Sequence, residues 1–270
     1  MSYFSGKGFL VTGASSGIGR DLALGLAREG AIVAAMARSE GKLTELAASA
    51  PAGRVLPVVG DVASDESTSR AVESAVNACG GRLDGLIHSA GISMSGRVED
   101  VSLDVFREVM ETNFFSTIRL VKAALPHIRQ QRGHIVAISS IAGFVSYPFG
   151  SGYAASKHAL QALLDSLRLE LAPAGVHVLS VCPGYVRTDI AKNARRADGS
   201  KWEQSTKEIE NGLDPAVVTR ATLRAIEARK RQIAPAGLME ASGKILKPLA
   251  PGLLDAVMLK MYARGPLDGA

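Results

Sequence analysis

Short apolar runs alternate with longer stretches of helical period from the first residues onward. Gly8–Val11 reads as a strand ending in a glycine-rich turn, and Ile18–Glu29 follows as a helix closed by Gly30. The same rhythm predicts strands over Ala31–Met36, Arg54–Val59, Leu83–His88, His134–Ser139 and Val176–Val181. Between them it predicts helices over Lys42–Ala48, Asp65–Ala78, Leu103–Gln130 and Gly152–Leu171. Strands that are apolar throughout are buried on both faces. The alternation therefore predicts an α/β fold, a doubly wound parallel sheet of about seven strands with helices on both faces. No internal repeat or linker divides residues 1–270, which read as a single domain.

After Pro183 the rhythm breaks. Residues 184–213 are polar, basic and weakly periodic, and a loop of that length in a compact fold reads as a substrate lid. A helix over Pro215–Arg229 resumes the pattern. The tail over 241–264 interleaves apolar residues with Lys244, Lys247, Lys260 and Arg264 and is broken by Pro248 and Pro251. It reads as a packed cap, a subunit contact or a weak foot on a membrane surface.

Composition narrows the class. With 47% hydrophobic and 21% charged residues, the 270-residue chain can bury a large core. Its formal net charge of +5 is scattered among acids, apart from pairs and triplets such as Arg195-Arg196 and Arg229-Lys230-Arg231. That argues against a nucleic-acid partner. The two cysteines, Cys79 and Cys182, sit in unrelated contexts, so neither a disulfide framework nor a metal site is expected. Met1–Gly8 is too short and polar for a signal peptide, and no apolar run is long enough for a membrane span. A cytoplasmic location is the expectation.

Three local patterns carry candidate chemistry. Tyr153 and Lys157 lie four residues apart, one turn of helix, on one face. A free phenol titrates near pH 10, and a neighbouring cation favours its ionised form. The same spacing also occurs by chance on solvated helices. Upstream, Thr12-Gly13-Ala14-Ser15-Ser16-Gly17-Ile18-Gly19 joins the first strand to the first helix. There glycines admit close approach of a diphosphate, and the helix start offers N–H donors. At the end of the second strand stand Ala37-Arg38-Ser39, with no carboxylate for a ribose hydroxyl. Arg38 offers a planar fork suited to a 2′-phosphate and Ser39 a second donor, so NADP(H) is the expected cofactor. A plain surface arginine is the alternative.

Taken together, Thr12–Gly19, His88-Ser89-Ala90-Gly91, Asn113, Ser140, the Tyr153–Lys157 pair and Pro183-Gly184-Tyr185-Val186-Arg187-Thr188 resemble the short-chain dehydrogenase/reductase family. The resemblance spans nearly the whole chain and implies a Rossmann-like fold. Ser140 precedes Tyr153 by the family's spacing, and Ser139 is the weaker candidate. The resemblance implies that Tyr153 exchanges a proton with the substrate oxygen and that Ser140 orients that oxygen. Lys157 would bind the nicotinamide ribose and lower the tyrosine's pKa, and Asn113 would hold a relaying water. Gly13, Ser15, Ser16, Gly17, Ile18 and Gly19 would hold the diphosphate, and Asp61 and Val62 the adenine. Ala90 and Gly91 would let the cofactor lie close, while Pro183, Gly184, Val186 and Thr188 would flank the carboxamide. Where the family usually has Asn-Asn-Ala-Gly, this chain has His88-Ser89-Ala90-Gly91, which leaves the local hydrogen bonding open.

Residues 133–141, 153–159, 193–200 and Leu249–Leu253 are similar to a lipid-linked branch of that family. That branch includes acyl- or alkyl-dihydroxyacetone-phosphate reductases and lies near the 3-ketodihydrosphingosine reductases. The resemblance implies a ketone on a hydrophobic small-molecule substrate; Met94, Tyr147, Phe149 and Tyr185 flank the catalytic positions in sequence and read equally as the lining of an apolar slot or as core. It also implies a homodimer or homotetramer. A 3-oxoacyl-carrier-protein reductase, an alcohol or steroid dehydrogenase, and a catalytically idle NADP(H) sensor are the competing readings.

Overall fold

The computed structural model describes residues 1–262. Seven strands form one sheet: β1 (Gly8–Thr12), β2 (Ile32–Ala37), β3 (Val55–Val59), β4 (Gly85–His88), β5 (His134–Ile138), β6 (His177–Val181) and β7 (Gln232–Ile233). Their order is β3-β2-β1-β4-β5-β6-β7, and every pairing is parallel. The order reverses between β1 and β4, which opens a crevice beyond the carboxyl ends of those two strands.

Helices cover both faces because strand side chains alternate. Phe9 and Val11 enter one apolar layer, with Leu22 and Leu26 of α1 (Gly17–Arg28), Leu43 of α2 (Glu40–Ala48) and Val218 of α8 (Pro215–Glu227). Leu10 points the other way. It meets Ala71 of α3 (Asp65–Ala78), Leu120 of α5 (Ser116–Gln130) and Leu160 of α6 (Ser151–Leu171). Fully burying Phe9 or Leu10 contributes about 1.5–3 kcal/mol each, so these layers hold the scaffold that aims the loops.

Three departures from the sequence expectations bear on function. The helix expected over Leu103–Gln130 is α4 (Leu103–Met110) and α5, joined by a π-helical turn over Glu111–Phe115. β7 has only two residues and no apolar run to mark it; it is fixed by Ser180 N–H to Arg231 O (3.1 Å) and Cys182 N–H to Ile233 O (2.8 Å). The stretch 184–213 contains one short helix, α7 (Lys207–Glu210), and isolated bridges between Met94 and Arg195 and between Val186 and Leu213.

The tail forms α9 (Leu238–Leu249) and α10 (Pro251–Tyr262); Arg264 lies outside the described residues. α9 packs on the segment that follows β5. A Cβ on Gly243 would meet Val145 Cγ2 at 2.9 Å, Lys244 Nζ lies 4.6 Å from the Phe144 ring centre, and Lys247 Nζ reaches His158 Nε2 at 3.0 Å. α10 leaves Leu253 and Leu259 exposed. Among the described residues no helix is long and apolar enough to cross a membrane.

At the opposite end of the sheet, histidines form a buried polar chain. The Tyr3 hydroxyl meets His134 Nε2 at 2.8 Å, His134 Nδ1 faces His177 Nδ1 at 2.9 Å, and His177 Nε2 meets Lys230 O at 2.8 Å. Since a carbonyl only accepts, His177 carries its proton on Nε2. His134 then donates from Nδ1 and accepts from Tyr3.

Candidate active site

The loop between β1 and α1 lies against the end of β4. Gly13 has φ +66°, and a Cβ there would sit 2.7 Å from the Ala90 nitrogen. Gly17 has φ +53°, and its missing Cβ makes room for Thr188 Cγ2, which would otherwise be 2.8 Å away. Ser16 is extended at the head of α1 and makes no side-chain cap, so the first N–H groups of the helix keep their capacity for an anion. Ser15 and Ile18 flank it half-buried, while buried Gly19 lets the helix approach Gly13 O. A cleft of about 510 Å³ opens here, lined among others by Gly17, Arg20, Arg187, Thr188 and Lys192.

The residues expected on the adenine side gather at the ends of β2 and β3. Arg38 is an exposed side chain facing Asp61 at 3.9 Å, and Ser39 heads α2 without capping it. Asp61 accepts from Ala63 N–H (2.9 Å) and gives its own N–H to Ser67 Oγ (2.8 Å), with Val62 buried beside it.

The second group converges from four elements. Asn113 sits inside the π-turn, a local widening frequent at functional positions. Its Oδ1 accepts from Ile92 N–H (2.9 Å), and its Nδ2 donates to Ile92 O (2.9 Å) and Ser156 Oγ (2.9 Å). Ser140 follows β5, and its hydroxyl accepts from Ala142 N–H at 3.1 Å. Ile141 N–H donates to Pro183 O at 3.0 Å, tying that serine turn to Pro183-Gly184 after β6; Gly184 N–H is held by Pro235 O at 3.1 Å. Tyr153 and Lys157 lie on α6, and Lys157 Nζ donates to Ile138 O at 3.0 Å. A Cβ on Gly91 would lie 3.1 Å from Asn113 Oδ1 and 3.6 Å from Lys157 Nζ, so this floor is filled by backbone alone.

Electrostatics at the pair differ from the sequence expectation. Burial pushes the Tyr153 phenol up to about 12, opposed by a hydrogen bond with Ser140. Burial also lowers the Lys157 ammonium to about 8. The lysine does not depress the tyrosine here, because its ammonium turns to Ile138 O and lies 5.6 Å from the ring centre. Desolvation of both groups outweighs their mutual influence.

Apolar side chains close around Tyr153. Met94, Val101, Val105, Val109 and Ala142 are buried with it, and Phe106, Tyr147, Ile190 and Ala197 pack against them. Of the expected slot residues, Met94 and Tyr147 are thus present. Tyr185 is exposed, and Phe149, at φ +66°, enters through its carbonyl, which accepts from Gly96 N–H at 2.9 Å. The sequence reading did not single out Val101, Val105 and Val109, although the last two lie one turn apart on one face of α4. The segment over 184–213 is stapled down: Arg195 grips Glu108 of α4 at 2.8 and 2.5 Å, and Arg196 stacks 4.9 Å from the Trp202 ring centre. Val186 is buried within it, and Thr188 Oγ1 donates to Val186 O at 3.3 Å.

The sequence model described as short chain dehydrogenase matches residues 7–199. The chain belongs to the short-chain dehydrogenase/reductase family. It is 39% identical over 258 residues to the Bos taurus protein named dehydrogenase/reductase SDR family member 7B, covering 92% of this chain and 79% of that one. The Xenopus tropicalis protein of that name is 38% identical over 265 residues, covering 95% and 86%. Among solved structures, a short-chain dehydrogenase from Streptomyces avermitilis has a TM-score of 0.81 at 30% identity, covering 98% of this chain and 99% of that one. One from Burkholderia cenocepacia, in complex with NADP, has a TM-score of 0.79 at 27% identity, covering 96% and 99%.

As a member of this family the protein is an oxidoreductase of the nicotinamide class. The glycine-lined floor, the uncapped start of α1 and the adjoining cleft fit a dinucleotide with its diphosphate. The family's first asparagine is replaced here by His88, which is buried and bonded through both ring nitrogens, to Thr12 Oγ1 (2.8 Å) and Ser116 Oγ (2.9 Å). The hydrogen bonding left open by the sequence is therefore complete.

Proposed function

We propose that this dehydrogenase reduces a ketone on a hydrophobic, lipid-like substrate using NADPH, with the whole chain acting as one cofactor-binding unit. The observation that carries the reading is the convergence of Ser140, Tyr153, Lys157 and Asn113 beside a glycine floor, inside an apolar cluster. The reduced cofactor supplies hydride when bound. Tyr153, whose phenol is held up to about 12, stays protonated at neutral pH and gives its proton to the carbonyl oxygen as that oxygen gains electrons. Ser140 donates a hydrogen bond to the same oxygen and orients it. Lys157 holds positive charge beneath the pair, and Asn113, fixed to Ile92 and Ser156, keeps that end of α6 in place.

Arg38, exposed at the end of β2 with no carboxylate in the Ala37-Arg38-Ser39 segment, supports the phosphorylated cofactor. So does the NADP complex of the Burkholderia relative. The lid over 184–213 adds Ile190 and Ala197 to the apolar wall, which favours an alkyl chain over a small polar ketone. The test is Tyr153→Phe with NADPH and a panel of ketolipids, steroids and 3-oxoacyl thioesters. Loss of turnover with NADPH binding retained is expected; turnover at the wild-type rate would overturn the role of the phenol.

A further inference from the structure

We propose that His88 is a positioning residue that couples the cofactor floor to the turn carrying Asn113. This rests on the reading above, which gives Asn113 and the floor their roles.

The geometry fixes the direction of every hydrogen bond along the connection. Ser116 Oγ donates to Thr112 O at 2.6 Å, so towards His88 it can only accept. His88 therefore carries its proton on Nε2, and its Nδ1 accepts from the Thr12 hydroxyl. Having given that proton, Thr12 Oγ1 accepts the N–H groups of Ser89 (3.2 Å) and Ala90 (3.3 Å). One chain of bonds thus runs from the π-turn through the imidazole to the backbone under the cofactor. Both ends lie in the site: Ala90-Gly91 forms the floor, while Thr112 and Ser116 bracket Asn113 in the turn. Asn113 in turn holds Ser156, the neighbour of Lys157 on α6.

The imidazole must stay neutral to do this. A second ring proton would place Nδ1–H against the Thr12 hydroxyl and a buried charge close to Lys157; burial and that lysine lower its pKa to about 3. With a hydrogen bond on each ring nitrogen the imidazole keeps one protonation state, so the connection acts as a strut and not as a switch. Its consequence is that displacement of the turn should reach the proton-handling groups before it reaches cofactor affinity.

The experiment compares wild type, Ser116→Ala and His88→Phe as full chains. Ser116→Ala cuts only the turn end and leaves the Thr12 bonds to the floor intact. For it we expect the Asn113 carboxamide protons, followed by NMR, to exchange about tenfold faster. NADPH Kd, from cofactor fluorescence, should stay unchanged. Turnover of a long-chain methyl ketone, 2-undecanone, should fall about tenfold in kcat with KM unchanged. Nitrogen-15 histidine spectra of wild type should show His88 as the neutral Nε2–H form from about pH 8 to about pH 5. Unaltered Asn113 exchange, a parallel rise in NADPH Kd, or an Nδ1–H tautomer would overturn the proposal. His88→Phe removes the strut altogether; if it does not fold, the Ser116→Ala exchange rate still decides. Failure of wild type to reduce any ketone would count against the function proposed above, whereas exchange and tautomer report on the strut alone.

Discussion

Acidification should unfold this protein through histidines that it buries without charge. His88 is fully enclosed, and His134 is buried against His177 with Lys7 and Arg229 nearby; desolvation comes first in both cases, and each pKa is lowered to about 3. The unfolded chain returns them to about 6.5. Because the folded values are the lower ones, the unfolded state binds more protons below pH 6.5. The stabilisation is therefore complete above that value and is lost as the pH falls towards 3. Between pH 6.5 and 5.0 each histidine should cost about 1.7 kcal/mol, together about 3 of the roughly 5–15 kcal/mol a domain of this kind possesses. That window does not depend on how far below pH 5 the folded values lie. His177, also lowered by burial, acts in the same direction. The assay is urea unfolding at several pH values, extrapolated to water. The perturbation is His134→Asn, which keeps a donor facing His177 and removes one titrating group. Across this window its loss of stability per pH unit should be smaller than wild type's by about 1 kcal/mol, approaching one proton's worth as the pH nears 5. A flat wild-type profile between pH 6.5 and 5.0, or identical slopes for wild type and variant, would refute the reasoning.

Two further outcomes follow from the site. Arg38→Ala should weaken NADPH binding about tenfold and leave NADH nearly unchanged, since the arginine is exposed and its charge-assisted bond to a 2′-phosphate is partly screened; titration with both cofactors checks it, and equal losses would defeat the cofactor assignment. Glu108→Ala removes both bonds from Arg195 and should loosen the 184–213 segment by about 1–2 kcal/mol. Limited proteolysis should then cut that segment faster in the variant, while the wild-type cleavage rate would show that the staple does not hold it.

What could be read along the chain and what could not divide by the range of the physics. β1 through β6 and their helices were legible because each strand feeds both layers, as Phe9, Leu10 and Val11 do, and leaves an uninterrupted apolar run. β7 was not, since two residues bonded to β6 carry no periodic signal. The glycine-rich loop after β1 and the Tyr153–Lys157 pair are local in sequence, so their spacing can be read directly from the chain. The π-turn around Asn113 was invisible: Leu103–Gln130 satisfies helical periodicity whether or not one residue is accommodated by widening. His88 looked like a gap in a motif, and only the approach of Thr12 and Ser116 from elements distant in sequence makes it a complete hydrogen-bonding group. The tyrosine shows the same division most sharply. Four residues of spacing correctly put a cation on its face of α6, but spacing carries no information about the solvent that Met94, Val105 and Ala142 exclude. That exclusion raises the phenol where proximity to Lys157 was expected to lower it. A phenol so raised stays protonated at neutral pH but releases its proton less readily than a free one, so the folded environment, and not the motif, sets the acidity at this position.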